Sequence, residues 1–555
     1  MQERILVCVA WPYANYLLHV GQVAGAYLPA DIFARYQRLI GNEVLMVSGS
    51  DCHGTPITVT AEREGIQPRD VVDRYHPKIL ETWERLGISF DLFTTTLTEN
   101  HYATVQEVFL RLLERGFLEV GTQDQLYDPE AQRFLPDRYV EGTCPHCAYK
   151  EARGDQCDSC GKTLDATDLI DPRSRFSGAR PVTRASQHYL LRLPKFQEAL
   201  GAWLTKQTHW RKNVLNFSLG WIAEGLQDRA ITRDISWGVP IPVDEWETKR
   251  IYVWFDAVIG YLSATREWAQ RSGDPEAWRR YWEDPATKSY YFIGKDNIPF
   301  HTIIWPGMLM GYGGLNLPFD VPANQYVNFS AGQKQSKSKG TGTWVLNLLD
   351  TYAPDVVRFY LTAIMPESSD SEFREDELIR QNNDVLIGTW GNLANRVITM
   401  LNRNFDGAIP ETGQLAPESE ALLAAARAAF EKAGAEYGAV HLRAALNEGL
   451  AVAQAANRYL GEREPWKAVK VDRAHAAETL ATAVNAINAV KTILHPILPF
   501  STQQLHEDLG LAGLLADNGW RFETLAGGHR VGVARPLYAK LDALTVEVEV
   551  AGSPA

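Results

Sequence analysis

The chain has 555 residues, 45% hydrophobic and 10% aromatic. That is ample for packed cores, excludes wholesale disorder and is too long for one ordinary domain, so three or four units are expected. A net charge of −13 argues against a sequence-blind polyanion binder, although local basic patches can still hold an RNA. No apolar run reaches the length of a membrane span, and the N-terminus leads directly into a strand with no signal peptide. Four of the six Cys fall in one cluster, which suits a reducing cytoplasm and a metal rather than a disulfide framework.

Ile5 to Ala10 is a short apolar run bounded by turn chemistry at Pro12, Asn15 and Gly21, the pattern of a buried strand. A helix is expected over 23–38, kinked at Pro29. Between them stands His19-Val-Gly-Gln22. Strand, turn and helix build a nucleotide site at the carboxyl edge of a parallel sheet, with Gly21 admitting the nucleotide close to the backbone. Alone, this tetrapeptide is equally an ordinary helix start. Val44 to Ser48 reads as a second buried strand, ending in Gly49-Ser-Asp51-Cys-His53-Gly. An acid and an imidazole there sit where ligands bind in open α/β sheets, or else Asp51 is a solvated helix cap. Residues 67–86 and 101–115 read as amphipathic helices, the second closed by Gly116.

From about Phe117 to Ile235 loops lengthen, and Cys144-Pro-His-Cys147 and Cys157-Asp-Ser-Cys160 appear. Two such pairs can place four thiolates around one ion. That donor set favours Zn²⁺, and its filled shell points to a structural site. His146, between the first two thiols, is not expected to be a ligand. Residues 251–261 read as a strand turning into a helix, with Trp254, Ala257 and Tyr261 on one helical face; ordinary core packing is the plainer reading. A strand over 290–293 leads to Gly294 and Asp296, an acid that can accept from ribose hydroxyls or cap a helix. A helix is expected over 297–310. The loop Lys334-Gln-Ser-Lys337-Ser-Lys-Gly follows, flanked by Gly332 and Gly342, and its lysines can clamp a triphosphate or merely face solvent. From Asp350 helices are expected over 374–403, 418–460 and 475–498, a helical bundle. Trp466, in a turn among basic residues, can stack an unpaired base or cap the bundle.

Taken together, His19-Val-Gly-Gln22 and the Lys334 loop resemble the HIGH and KMSKS signatures of class I aminoacyl-tRNA synthetases. Pro12-Tyr-Ala-Asn15 and Ser50-Asp-Cys-His-Gly-Thr-Pro56 resemble the methionine-specific branch of that class. The likeness runs from about residue 4 to about 545. It implies an α/β fold: a Rossmann-like catalytic domain in two halves (1–116 and 236–345) split by a zinc-bearing connective insertion (117–235). A stem-contact linker (346–385), an all-α anticodon-binding domain (386–545) and an acidic tail (546–555) would follow. The insertion looks too short for a large editing domain, and Tyr127-Asp-Pro-Glu130 lacks the Cys of a second knuckle, so one zinc is expected.

The resemblance further implies that methionine is activated by ATP–Mg²⁺ and passed to initiator and elongator methionine tRNA. Trp11, Tyr13, Trp254, Ala257, Tyr261, Phe300 and His301 would then line the methionine pocket, and Asp51 would hold the amino group. His19, Gln22, Gly294, Asp296 and Lys337 would bind ATP. His19, Gln22, Lys334 and Lys337 would be catalytic, and Asn392, Arg396 and Trp466 would read the anticodon. The chain departs from the family at Gln22, where the second His of the signature belongs, at Gln335 in place of Met and at Val258 in place of Pro. Gln22 leaves open a catalytically inactive paralogue that only binds tRNA. A third possibility is the same chemistry on another small amino acid. A monomer is expected, because no C-terminal RNA-binding barrel follows the bundle.

Overall fold

The computed structural model describes residues 2–542 apart from 155, 156, 158, 161, 163, 330–332 and 335–342, with 137 and 333–334 described in backbone only. Along the chain come β1 (Arg4–Val9), α1 (Leu28–Leu39), β2 (Glu43–Ser50), α2 (Thr55–Glu64), β3 (Leu92–Thr95) and α3 (Glu99–Glu114). Then follow β4 (Leu118–Asp128), β5 (Val140–Thr143), β6 (Val182–Leu191), α4 (Val253–Arg271), β7 (Lys288–Gly294) and α5 (Trp305–Tyr312). Next are β8 (Ala323–Asn324), β9 (Val327–Phe329), α6 (Pro354–Ala363), β10 (Ser371–Phe373) and α7 (Asn392–Asn404). The last are α8 (Pro417–Gly438), α9 (Leu442–Arg463), α10 (Pro465–Val471) and α11 (Arg473–Leu494). No helix among the described residues is long and apolar enough to cross a membrane.

The chain forms two compact units, the first made of residues 1–18, 43–84 and 89–325. Its centre is a five-stranded sheet in the order β8-β7-β1-β2-β3, and every pairing in it is parallel, with Val7 facing Met46 on one side and Tyr290 on the other. A strand buried on both faces needs apolar residues throughout, and Ile5, Leu6, Val7, Cys8 and Val9 are fully buried. Strand order reverses at β1, so the loops after β1, β2 and β7 open at the switch point of the sheet, where ligands bind. The insertion is a long antiparallel pair, β4 with β6, and a small sheet around β5. Here the expected strand turning into a helix over 251–261 is nearly all helix. Strand pairing stops after Arg250–Ile251 and α4 begins at Val253, so Trp254 lies in a helical first turn with Asp256, an acid suited to a helix N-terminus. The expected helix over 297–310 is also broken up: a turn at Lys295–Asn297, a π-helical turn at Phe300–Ile304, then α5 with Pro306 in its first turn.

The second unit holds residues 19–42, 85–88 and 326–555. Its first helix starts at Val20, earlier than expected, and passes through a π turn at Val23–Tyr27 into α1. Pro29 sits in the first turn of α1, and the wider turn before it takes the place of the expected kink. A small sheet pairs β9 in parallel with β10 and antiparallel with Gln333–Lys334. The helix expected over 418–460 is two helices, α8 and α9, because Val440 takes a left-handed φ of 58°. They pack with α11 as a bundle. Arg358 on α6 is fully buried and satisfied on all sides: it donates to Asp31 Oδ2 (2.7 Å), Ile497 O (2.7 Å), Leu86 O (3.1 Å) and Pro496 O (3.0 Å).

Candidate active site

At the carboxyl edge of the first unit's sheet, the loop after β1 runs beside the end of β2. Asp51 N donates to Pro12 O (2.8 Å) and Ala14 N to Asp51 O (3.1 Å), which sets Trp11 and Tyr13 next to Asp51. Two missing side chains make room for those rings. A Cβ on Gly49 would lie 2.3 Å from the Trp11 ring, one on Gly260 2.7 Å from its other edge, and one on Gly54 2.1 Å from the Tyr13 ring. On α4, Trp254 and Tyr261 each meet a residue of the π turn. Trp254 stacks on Phe300 with centroids 4.0 Å apart, and the Tyr261 hydroxyl lies 2.7 Å from His301 Nε2. His301 Nδ1 lies 2.9 Å from Asn297 O, so its proton belongs on Nδ1 and Nε2 accepts from Tyr261. Burial pushes the His301 imidazole down to about 4, which keeps it neutral in that role. A cavity of about 290 Å³ is lined by Trp254 and Phe300 together with Gln125, Leu164, Arg229 and Arg233 of the insertion. Gly294 ends β7, and Asp296 follows in a short turn; both are half-buried.

Asp51 itself is 3% exposed. Burial raises its carboxyl well above the usual range, and the nearby Asp256 charge raises it further. His53 N donates to Asp51 Oδ1 (3.1 Å), His53 Nδ1 lies 2.8 Å from Asp256 Oδ2 and His53 Nε2 lies 3.1 Å from the Tyr102 hydroxyl. Burial lowers His53 to about 4 and raises Asp256. Both shifts favour the neutral forms, so the pair shares one proton.

In the second unit, His19 and Gln22 cap each other. Gln22 N donates to His19 Nδ1 (3.2 Å), and His19 N donates to Gln22 Oε1 (3.2 Å), a capping box at the start of the helix. With Nδ1 accepting, the His19 proton belongs on Nε2, and the Gln22 carbonyl is committed to the backbone while its amide NH₂ remains a donor. Gly21 is close-packed: a Cβ there would lie 3.1 Å from His19 Nδ1 and 3.4 Å from Val327 O. Val20 N donates to Thr343 O (3.1 Å) and His19 bridges Trp344. The turn is thus tied to the chain on both sides of the lysine loop. Within that loop, Lys334 pairs in register with Asn328, and Lys337 lies outside the described residues.

The four Cys converge as their spacing predicts. The Cys144, Cys147, Cys157 and Cys160 sulfurs all lie within 4.8 Å of one another, with Cys144 and Cys160 3.9 Å apart and Cys147 and Cys157 3.6 Å apart. Four sulfurs about 2.3 Å from a tetrahedral zinc stand about 3.8 Å from each other, so the donor set fits that ion. Cys144 and Cys157 also belong to the small core of the insertion. His146 is exposed and contributes only its backbone N–H, donated to Cys144 Sγ at 3.4 Å.

A family model described as tRNA synthetases class I (M) matches residues 5–398, and one described as the anticodon binding domain of methionyl tRNA ligase matches residues 409–548. Over 587 aligned positions the chain is 51% identical to a methionine–tRNA ligase of Roseiflexus sp. (strain RS-1), covering 99% of each. It is 50% identical to that of Thermomicrobium roseum, covering 99% of this chain and 98% of the relative. The chain belongs to the methionyl-tRNA ligase family. It is an ATP-dependent aminoacyl-tRNA synthetase. Its fold is similar to the Mycobacterium tuberculosis methionyl-tRNA synthetase in complex with methionyl-adenylate, with a TM-score of 0.80 and 25% identity over 97% of this chain and 100% of that one.

Asn392 and Arg396 lie four residues apart on α7, both exposed. Arg396 Nη2 donates to Asn457 Oδ1 (2.6 Å), and Asn457 donates in turn to Thr389 O (2.7 Å). Trp466 is 43% exposed and stands in the first turn of α10, after the left-handed Glu464. Sequence reasoning passed over Asp256, Tyr102 and Arg233. For Asp256 a signal exists: it is the lone charge in the apolar run Ile251 to Tyr261. Nothing local marks Tyr102, which meets His53, or Arg233, which lines the cavity; both arrive there through tertiary packing.

Proposed function

We propose that the ligase activates methionine at the carboxyl edge of the first unit's sheet and transfers it to the 3′-terminal ribose of initiator and elongator methionine tRNA. The reading is supported by a buried acid, Asp51, held beside Trp11 and Tyr13, and by the Trp254–Phe300 and Tyr261–His301 pairs that join α4 to the π turn. A polarizable thioether gains about 0.3–1.5 kcal/mol per aromatic contact, and Ala257 leaves room for it. The substrate ammonium supplies the countercharge that a desolvated Asp51 lacks.

In the first step a methionine carboxylate oxygen attacks the α-phosphorus of ATP, the bond to the β-phosphate oxygen breaks, and pyrophosphate leaves; Mg²⁺ bound with ATP would neutralise phosphate charge. In the second, a hydroxyl of the terminal tRNA ribose attacks the methionyl carbonyl, losing its proton as AMP departs. Both nucleophiles belong to substrates, so the protein positions them and stabilises charge. His19 Nε2, Lys334 and Lys337 address the phosphoryl oxygens; donors that act only on the transition state are worth about 3–4 kcal/mol each. Gln22 offers its amide NH₂ to the ATP phosphates, Gly294 lets the nucleotide lie close to the backbone, and Asp296 accepts from the ribose. Asn392, Arg396 and Trp466 read the anticodon. Cys144, Cys147, Cys157 and Cys160 would hold one structural Zn²⁺ that cross-links the two loops of the insertion. The monomeric, cytoplasmic enzyme is part of the same reading.

Methionine-dependent exchange of labelled pyrophosphate into ATP tests it. Exchange with leucine or cysteine but not methionine would refute the substrate, and exchange with no amino acid would favour the inactive, tRNA-binding alternative.

A further inference from the structure

Behind Asp51 stands a second buried acid. Asp256 is fully buried in the first turn of α4, and the only side chain bonded to it among the described residues is His53, at 2.8 Å. The imidazole is held at both nitrogens, by Asp256 and by the Tyr102 hydroxyl at 3.1 Å, so it cannot turn. Its main chain donates to Asp51 Oδ1 at 3.1 Å. A ring fixed in this way fixes the peptide that carries it, and with it the direction in which the remaining lone pairs of Asp51 point, much as outer partners orient a metal ligand. The same contact settles the charge. Burial and the Asp256 charge both raise the Asp51 carboxyl, so the two buried acids do not both ionise. An Asp256 that shares its proton with His53 leaves Asp51 as the one group there able to balance a cation.

We propose that Asp256, acting through His53, is a positioning residue for recognition of the methionine amino group. Helix α4 then serves both ends of the amino acid: Trp254, Ala257 and Tyr261 meet the thioether, and Asp256, between the first two, aims the acid that meets the ammonium. This rests on the assignment of Asp51 made above.

The test compares binding of methionine with binding of 4-(methylthio)butanoate, which is methionine without its amino group. Asp256→Asn keeps the shape and a hydrogen-bonding partner for His53 but removes the shared proton. Its affinity for methionine should fall on the order of tenfold, the cost of a misdirected buried polar contact, while its affinity for the desamino acid stays that of the parent. A role confined to packing would weaken both ligands alike, and that result, or no loss for either, overturns the proposal. Asp51→Asn is measured beside it. Selective loss in Asp51→Asn without loss in Asp256→Asn sinks this inference and leaves the pocket assignment standing. No loss of methionine affinity in Asp51→Asn sinks both. If Asp256→Asn fails to fold, Tyr102→Phe, which removes only the hydroxyl from His53 Nε2, carries the same comparison: a selective loss for methionine supports the proposal, and equal binding of both ligands by variant and parent overturns it.

Discussion

Gln22 is bound into the backbone of its own turn, its carbonyl on the His19 N–H and its N–H on His19 Nδ1. A family histidine at this place would bring an imidazole whose unperturbed value of about 6.5 leaves little positive charge at neutral pH. Gln22→His should therefore change adenylate formation modestly near pH 7, with any gain growing as pH falls toward 6. Gln22→Ala removes the reciprocal cap and should cost about 1 kcal/mol of stability. Rapid-quench adenylation from pH 6 to 8 checks the first, and a large pH-independent gain would contradict it; denaturant melts check the second. His301 gives a pH signature of its own. Its folded value, about 4, lies below the ordinary 6.5, so the unfolded chain takes up a proton first as pH falls. The stability it contributes is fully present above about 6.5 and is lost between about 6.5 and 4, at up to about 1.4 kcal/mol per pH unit. His301→Gln should lack that component, so parent and variant melts should converge as pH falls through this window. Parallel pH profiles would contradict it.

At the scale of elements, the four thiols and the core residues around them stand or fall together. Cys157→Ser should lower bound zinc below one ion per chain and loosen the insertion, since structural zinc contributes folding free energy directly. Elemental analysis and limited proteolysis read this out, and pyrophosphate exchange should survive. Arg358 poses the opposite problem: a charge with four acceptors and no solvent. Removing it takes a donor from three carbonyls and from Asp31, which keeps its pair with Arg35, so Arg358→Ala should destabilise the second unit by about 3 kcal/mol, measurable as a denaturant midpoint shift. A loss under 1 kcal/mol would contradict it. The strands β1, β2 and β7 were legible because a doubly buried parallel strand must be a continuous apolar run. The Cys pairs were legible because their spacing is chemistry. The start of α4 was not, since Ile251 to Phe255 satisfies strand and helix alike and only the tertiary partners of Trp254 and Asp256 decide. The capping box escaped notice because its N-cap is a histidine rather than Ser or Thr.

For the whole molecule, amino-acid activation and tRNA reading are chemically separate tasks. Trp466→Ala should leave methionine-dependent pyrophosphate exchange unchanged and lower aminoacylation kcat/KM by about 1–3 kcal/mol of lost base stacking. Equal damage to both reactions would place Trp466 in the packing instead. The two compact units were the least legible feature of the chain. Residues 19–42 and 85–88 join 326–555, and no local pattern tells a segment which distant partner it will pack on.

The indole of Trp11 has a final consequence for anyone rebuilding the enzyme to charge an unnatural amino acid. Its seat exists because Gly49 and Gly260 carry no side chain, and even a methyl group would come within 2.3 Å or 2.7 Å of the ring. Saturation libraries should return glycine alone at both codons. The productive changes should gather at 254 and 300, where the Trp254–Phe300 ring stack can be trimmed without moving the backbone.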